Sequence, residues 1–282
     1  MRVMTLLFLA PLALLISCKE APAGQPVVTV DLSDEEGEIL PVPANEAELA
    51  AASSPFASVC APATFETISL THCIADPESH TISAVYRPSA QAAPYGSLSA
   101  YAASVDPTTI AFATNGGAFT DDLSPRGYLV TAGERLSTLD RGSGEANFYL
   151  KPNGVFFGSG ARWRILTTTA FFSTVRDRPQ FGTQSGPMLL VDGELGAAIG
   201  ENGNSRAIRN AVGVDEEGKA HFVISNAPIS YGQLARYFRD ELSVPNALFL
   251  DANSSSLWNP ATGRMDEGRT GPILVVTRKA TP

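Results

Sequence analysis

From Thr64 to Arg278 the chain alternates short apolar or alternating runs with clusters of Gly, Pro, Asn, Asp and Ser. The runs are four to eight residues long, such as "TTIAFATN" (108–115), "GVFFG", "SGPMLLVDG", "HFVIS", "NALFL" (246–250) and "PILVVTR". Segments of that length are strands, because a helix needs about ten residues or more to be stable. No regular βαβ alternation links them, so a doubly wound parallel fold is excluded. The expected fold class is α+β: a single domain with a mixed, mostly antiparallel sheet core and a few helices. "TFETISLTHCIA" (64–75) and "HTISAVYR" (80–87) read as neighbouring strands joined by the "DPES" turn. "SLSAYAASV" (97–105) reads as a short helix capped by Ser97, and "ISYGQLARYFRDEL" (229–242) as an amphipathic helix with Leu234, Tyr237, Phe238 and Leu242 on one face.

The region before this pattern has a different character. "MRVMTLLFLAPLALLIS" opens with Arg2 and runs into an apolar stretch over 5–16, which reads as an export signal and is too short for a transmembrane helix. "LISC" follows at 15–18 and has the form of a bacterial lipobox, so residues 1–18 are expected to be a lipoprotein signal with Cys18 as the lipidated residue. Residues 19–58 carry five prolines, the run "DLSDEEGE" and eight acids against one base, and read as a tether. Most of the net charge of −9 therefore belongs to this segment rather than to a binding face, and a nucleic-acid partner is not expected. The domain proper is expected over 59–282, exported and held in the periplasm or at the outer membrane by its lipid. Two cysteines remain, Cys60 and Cys73. In an oxidising compartment they read as a disulfide on the first hairpin or strand, stabilising by roughly 3 kcal/mol.

The three histidines, His72, His80 and His221, are scattered and give no metal-ligand spacing. There is no GxSxG elbow, P-loop or dinucleotide fingerprint. The chemistry gathers instead at strand ends: "TNGGAF" (114–119), "SPRG" (124–127), "NFYLKPNG" (147–154), "TQSGP" (183–187), "RNAVGV" (209–214), "ISNAP" (224–228) and "LDANSSS" (250–256). Glycines allow close backbone approach, while Asn, Ser and Arg supply donors, a combination suited to an anionic or polyhydroxylated ligand.

The ordered set "NGGAF … SPRGYLV … GEANFYLKPNGVFF … TQSGPMLLVDGEL … RNAVGV … HFVISNAPISYGQLARYFRDEL … NALFLDANSSSLW" resembles the phosphodiester glycosidase family, above all its small bacterial branch. The likeness covers about 64–278. It implies a hydrolase acting at a sugar-1-phosphate diester. The family's "NGG" turn falls on Asn115, Gly116 and Gly117. Its "SGP" segment falls on Ser185, Gly186 and Pro187, its arginine on Arg209 followed by Asn210, and its aspartate segment on Asp251 with Ser254 and Ser255. Ala252 stands where the family pattern has glycine.

In that reading Asp251 is the reacting carboxylate and Arg209 the fork for phosphate oxygens. Backbone donors come from Gly116, Gly117 and Gly186, and Asn115, Asn210, Ser185, Asn226, Ser254 and Ser255 contribute to substrate binding. No cofactor is expected, although Asp251 with Asn253 could accept a divalent cation through oxygen ligands. The partner is a phosphate-linked glycan or cell-envelope polymer. A lipid-anchored module that binds such a polymer without cleaving it is the alternative, since the same donors and glycines serve both.

Overall fold

The computed structural model describes residues 57–250 and 255–280. The export signal, Cys18, residues 19–56 of the tether, and Asp251, Ala252, Asn253 and Ser254 lie outside them. Strands far outweigh helices in the described part, and they pair antiparallel throughout.

Three sheets carry the architecture. The largest has seven strands in the order Cys60–Phe65, Ile68–Ala75, Ala220–Ser225, Asn210–Val214, Asn246–Phe249, Met188–Val191 and Glu194–Leu195. A second sheet has five, in the order Arg264–Met265, Leu257–Asn259, Ile110–Asn115, Ile273–Arg278 and His80–Val85. The third also has five: Glu134–Ser137, Leu129–Thr131, Phe181–Ser185, Gly154–Ser159 and Arg162–Thr167.

Side-chain alternation explains why the central strands are apolar on both faces. One face of every sheet points into a shared core, to which Val212, Leu248, Phe112, Leu274, Phe156 and Phe181 belong. Phe112, Phe156 and Phe222, one from each sheet, meet there edge to face, with ring centroids 5.2 and 5.9 Å apart. The opposite face of each sheet is backed by one short helix. Tyr231–Arg236, continued by a π-helical turn over Tyr237–Glu241, covers Ala211, Val223 and Phe249 of the large sheet. Leu98–Ala102 covers Ala113 and Val275, and Thr168–Thr174 covers Val155 and Phe157. Ser97 caps the first of these in chain order, accepting from Ala100 N, as its sequence position predicts. Ser230 and Gln233 form a reciprocal capping box on the helix at 231.

The chain departs from expectation at 64–87. Residues 68–75 pair with Cys60–Phe65 and Ala220–Ser225, whereas His80–Val85 pairs only with Ile273–Arg278 in another sheet. The "DPES" turn is a crossing between sheets rather than a hairpin. The hairpin lies one step earlier and brings Cys60 opposite Cys73, which are disulfide-bonded.

Between the neighbouring strands Ile68–Ala75 and Ala220–Ser225, His72 Nε2 lies 2.9 Å from His221 Nδ1, and His221 Nε2 lies 3.0 Å from Asp215 Oδ2. Asp215 can only accept, so the neutral chain runs His72 to His221 to Asp215 in donor order. Burial, reinforced by the neighbouring His221, pushes the His72 imidazole down to about 4. A histidine depressed in the folded state stabilises least at low pH: the unfolded chain takes up its proton below about 6.5, the folded one only near 4. Unfolding free energy should therefore fall by about 2 kcal/mol between pH 7 and pH 4 from this residue, allowing for its partial exposure. His72→Gln should flatten that part of the profile in chemical denaturation. An unchanged pH slope in the variant would remove His72 as its cause.

Candidate active site

Central strand Asn246–Phe249 has neighbours on both sides, so its backbone direction is fixed by two ladders. It delivers Leu250 to the place where the three sheets meet. Leu250 N donates to Asn210 O (3.1 Å), and Ser185 Oγ donates to Leu250 O, tying the third sheet to the first. The second sheet joins through Asn115, whose Oδ1 accepts from Asn210 Nδ2 at 2.8 Å and from Ser256 N at 2.9 Å. Asn210 Nδ2 also reaches Thr114 Oγ1 (2.9 Å), and Thr114 Oγ1 donates to Ser256 O (2.7 Å). Ser255 Oγ donates to Asn210 Oδ1 at 3.2 Å. Gly117 closes the remaining side, its N–H donating to Thr183 Oγ1 (2.9 Å).

Asn115, Asn210, Ser185 and Ser255 thus converge on one junction, with chain ends at Leu250 and Ser255 on either side of the undescribed residues 251–254. Their chemistry differs from the sequence reading in two respects. Asn115 and Asn210 are 1% and 2% exposed and hold each other, so they fix strand ends instead of reaching sugar hydroxyls. The N–H groups of Gly116 and Gly117 are already engaged by Pro272 O and Thr183 Oγ1, which removes them as donors to a ligand. Glycine is required at 117 for packing: a Cβ there would lie 2.2 Å from Gln184 O. Gly186 is similarly confined, since a Cβ at that position would lie 2.6 Å from Asn153 Cβ. Asn226 stands apart from the junction, bonded to Ser69, Thr71 and Arg264.

Arg209 is 1% exposed, its guanidinium 3.6 Å from the Tyr231 ring centroid and 5.5 Å from that of Phe249. Nε donates to Ile229 O (2.9 Å) and Nη2 to Ser205 O and Oγ (3.1 and 3.0 Å). Nη1 is buried and meets no acceptor among the described residues. Burial holds its pKa below the usual arginine value, opposed by Tyr231. A buried cation with an unmatched NH2 group is costly on its own, so this nitrogen calls for an acceptor.

Beside the junction opens a cavity of about 370 Å³, lined by Ser185, Gly186, Phe249 and Leu250 together with Phe119, Arg126, Glu145 and Phe148. Arg126 and Glu145 are the ionisable groups of this lining. The sequence marks their segments, "SPRG" and "GEANFYLKPNG", but not these two side chains. Arg126 has no ion pair among the described residues, and its guanidinium lies 5.9 Å from the Tyr149 ring centroid. A wider depression of about 730 Å³, with Arg141, Lys151 and Phe172 in its lining, lies across the turn at 148–153. Asn153 Nδ2 donates to Phe148 O (3.0 Å), so the two spaces share a wall. The smaller one is the better candidate because Ser185 and Leu250, which tie the junction together, border it.

Behind the cavity Gln184, 0% exposed, uses its whole amide. Oε1 accepts from Tyr128 N and Asp140 N, both at 2.9 Å, while Nε2 donates to Asp140 O (2.7 Å) and Thr168 Oγ1 (3.1 Å). It pins the two loops that carry Arg126 and Glu145.

A model of the phosphodiester glycosidase family matches residues 108–276. An uncharacterised protein of Escherichia coli K12, YigE, is 33% identical over 165 residues, 58% of this chain; the match spans 64% of the relative's own length. Among solved structures, the catalytic domain of zebrafish N-acetylglucosamine-1-phosphodiester α-N-acetylglucosaminidase, auto-inhibited by its pro-peptide, superimposes with a TM-score of 0.53 at 15% identity, covering 77% of this chain and 81% of that one. A putative exported protein of Burkholderia pseudomallei does so with a TM-score of 0.50 at 12% identity, covering 74% of each chain. Both show the likeness of fold.

Proposed function

The chain belongs to the phosphodiester glycosidase family, and from that premise we propose that it is an exported hydrolase cleaving the glycosidic bond of a sugar-1-phosphate diester. The observation that carries the reading is the cavity beside Leu250, which brings Arg126, without an ion pair among the described residues, to the strand end that precedes Asp251 in the sequence.

An alcohol is a poor leaving group and must be protonated, so an ordinary glycosidase needs two carboxylates. A phosphodiester leaves as a phosphate monoester and needs charge stabilisation instead. One carboxylate then suffices, and Asp251 is assigned to it, as nucleophile at the anomeric carbon or as base for the attacking water. Arg126 meets the phosphate oxygens in the cavity. Arg209, which the sequence suggests as the phosphate fork, is assigned to the carboxylate through its unmatched Nη1, keeping Asp251 ionised at neutral pH. Support comes from its position: it directly precedes Asn210, whose carbonyl receives Leu250 N, and its guanidinium faces the Phe249 ring. The Cys60–Cys73 bond fits an oxidising compartment, and a lipid on Cys18 would place the site at the cell envelope, facing phosphate-linked glycans.

The test is a substrate panel offered to the purified protein: sugar-1-phosphodiesters beside p-nitrophenyl glycosides of the same sugars. Turnover of the phosphodiesters, releasing a phosphate monoester, is expected to exceed that of the aryl glycosides. Saturable binding of the phosphodiesters with no turnover of any would replace the hydrolase by a glycan-binding module.

A further inference from the structure

Residues 162–178 contain four arginines and one acid in a chain whose net charge is −9. Arg162 and Arg164 alternate with Trp163 and Ile165 on one strand. Trp163 and Ile165 are buried in the shared core, so strand alternation turns both arginines to the opposite side. That side carries the helix Thr168–Thr174, and past its end Arg176 and Arg178 alternate again in "VRDRP". All four line one cleft of about 300 Å³ together with Ser159, Thr174 and Asp177. None of the four has an ion pair among the described residues. Arg164 lies 5.9 Å from the centroid of the Phe157 ring. Arg135 adds to the same field, since it and Arg178 both act on Tyr128.

Four like charges in one concavity repel each other, and the single carboxylate there cannot balance them. Planar guanidinium forks are matched by phosphate oxygens taken two at a time. We propose that this cleft is a second anion site, separate from the cavity at Leu250, which holds the phosphate groups of a phosphodiester-linked glycan chain whether or not that chain is cut. A glycan chain fits better than a bilayer surface. The charges line a recess rather than a flat face, the one aromatic ring in it, Phe157, is 6% exposed, and Ser159 and Thr174 offer hydroxyls.

Calorimetric titration of the full chain with inorganic tripolyphosphate should show saturable binding that weakens as salt rises. Arg164→Ala/Arg178→Ala should weaken it at least tenfold without moving the melting temperature. The corresponding double lysine variant should recover part of the loss, because charge returns but the fork does not. A phosphodiester-linked polysaccharide should follow the same order of variants, and anionic phospholipid vesicles should not distinguish wild type from variant. Absence of saturable tripolyphosphate binding, equal binding by the alanine variant, or arginine-dependent binding of vesicles alone would each overturn the proposal. Hydrolysis of a small sugar phosphodiester should be unchanged in the alanine variant, so failure of this site and failure of the hydrolase reading show up in different measurements.

Discussion

Replacing Asp251 by asparagine should lower turnover of a sugar-1-phosphodiester by at least about a hundredfold, the scale of a lost general base or nucleophile. The change keeps shape and hydrogen-bonding capacity and removes only the charge. Substrate affinity should change far less, and the melting temperature should hold. Arg126→Ala supplies the complementary result: weaker affinity for the phosphodiester with a smaller effect on the maximal rate. Arg209→Lys should behave differently from both. Its side chain has three protein acceptors and an aromatic neighbour to satisfy, and a lysine cannot reproduce the fork or the stack, so stability and activity should fall together. A correctly folded Asp251→Asn protein with near-normal turnover would defeat the assignment.

Gln184→Ala should be the most destabilising single change around the site, costing about 4 kcal/mol. It leaves Tyr128 N–H, Asp140 N–H and Asp140 C=O without partners, at about 1–3 kcal/mol for each buried group, and adds a cavity. Gln184→Glu should lie between wild type and Ala, because the acceptor to Tyr128 and Asp140 is retained while the donor to Asp140 O is lost. Chemical denaturation of the three proteins checks the order. A loss under about 1 kcal/mol for the alanine variant would mean that water replaces the amide in full.

Gln184 also marks where sequence reading stops. Within "TQSGP" a glutamine looks like a solvated turn residue, and nothing local reveals that its four hydrogen-bond partners come from residues 128, 140 and 168. Local signals carry further. Ser97 as a cap and Leu234 and Phe238 as buried helix positions depend on spacing within a few residues. So does the pairing of Cys60 with Cys73, since the hairpin between them is short.

Strand periodicity tells which face is apolar but not which strand lies alongside. That is why it assigns residues 80–85 to the wrong neighbour and Asn226 to the wrong cluster. The polar strand ends at 115, 185, 210 and 255 are legible as a set because they interrupt apolar runs. Their roles are not, because whether a side chain reaches a ligand or another loop depends on distances across sheets. Arg126 and Glu145 escape sequence reading for the same reason: only the folded loops bring them to one cavity wall.

The meeting of three sheets at Leu250 has a consequence for timing. Asn115 belongs to the second sheet, Ser185 to the third, and Asn210 and Leu250 to the first. Asn115 is itself held opposite Ile273, on the last strand described. No early stretch of chain contains enough of the junction to assemble it, so a partly synthesised or partly threaded molecule has no working site. Contacts this distant in sequence also form late and slowly. On the hydrolase reading proposed above, catalytic competence would report completion of the described fold, because Asn115 is held in place only once Ile273–Arg278 docks beside it.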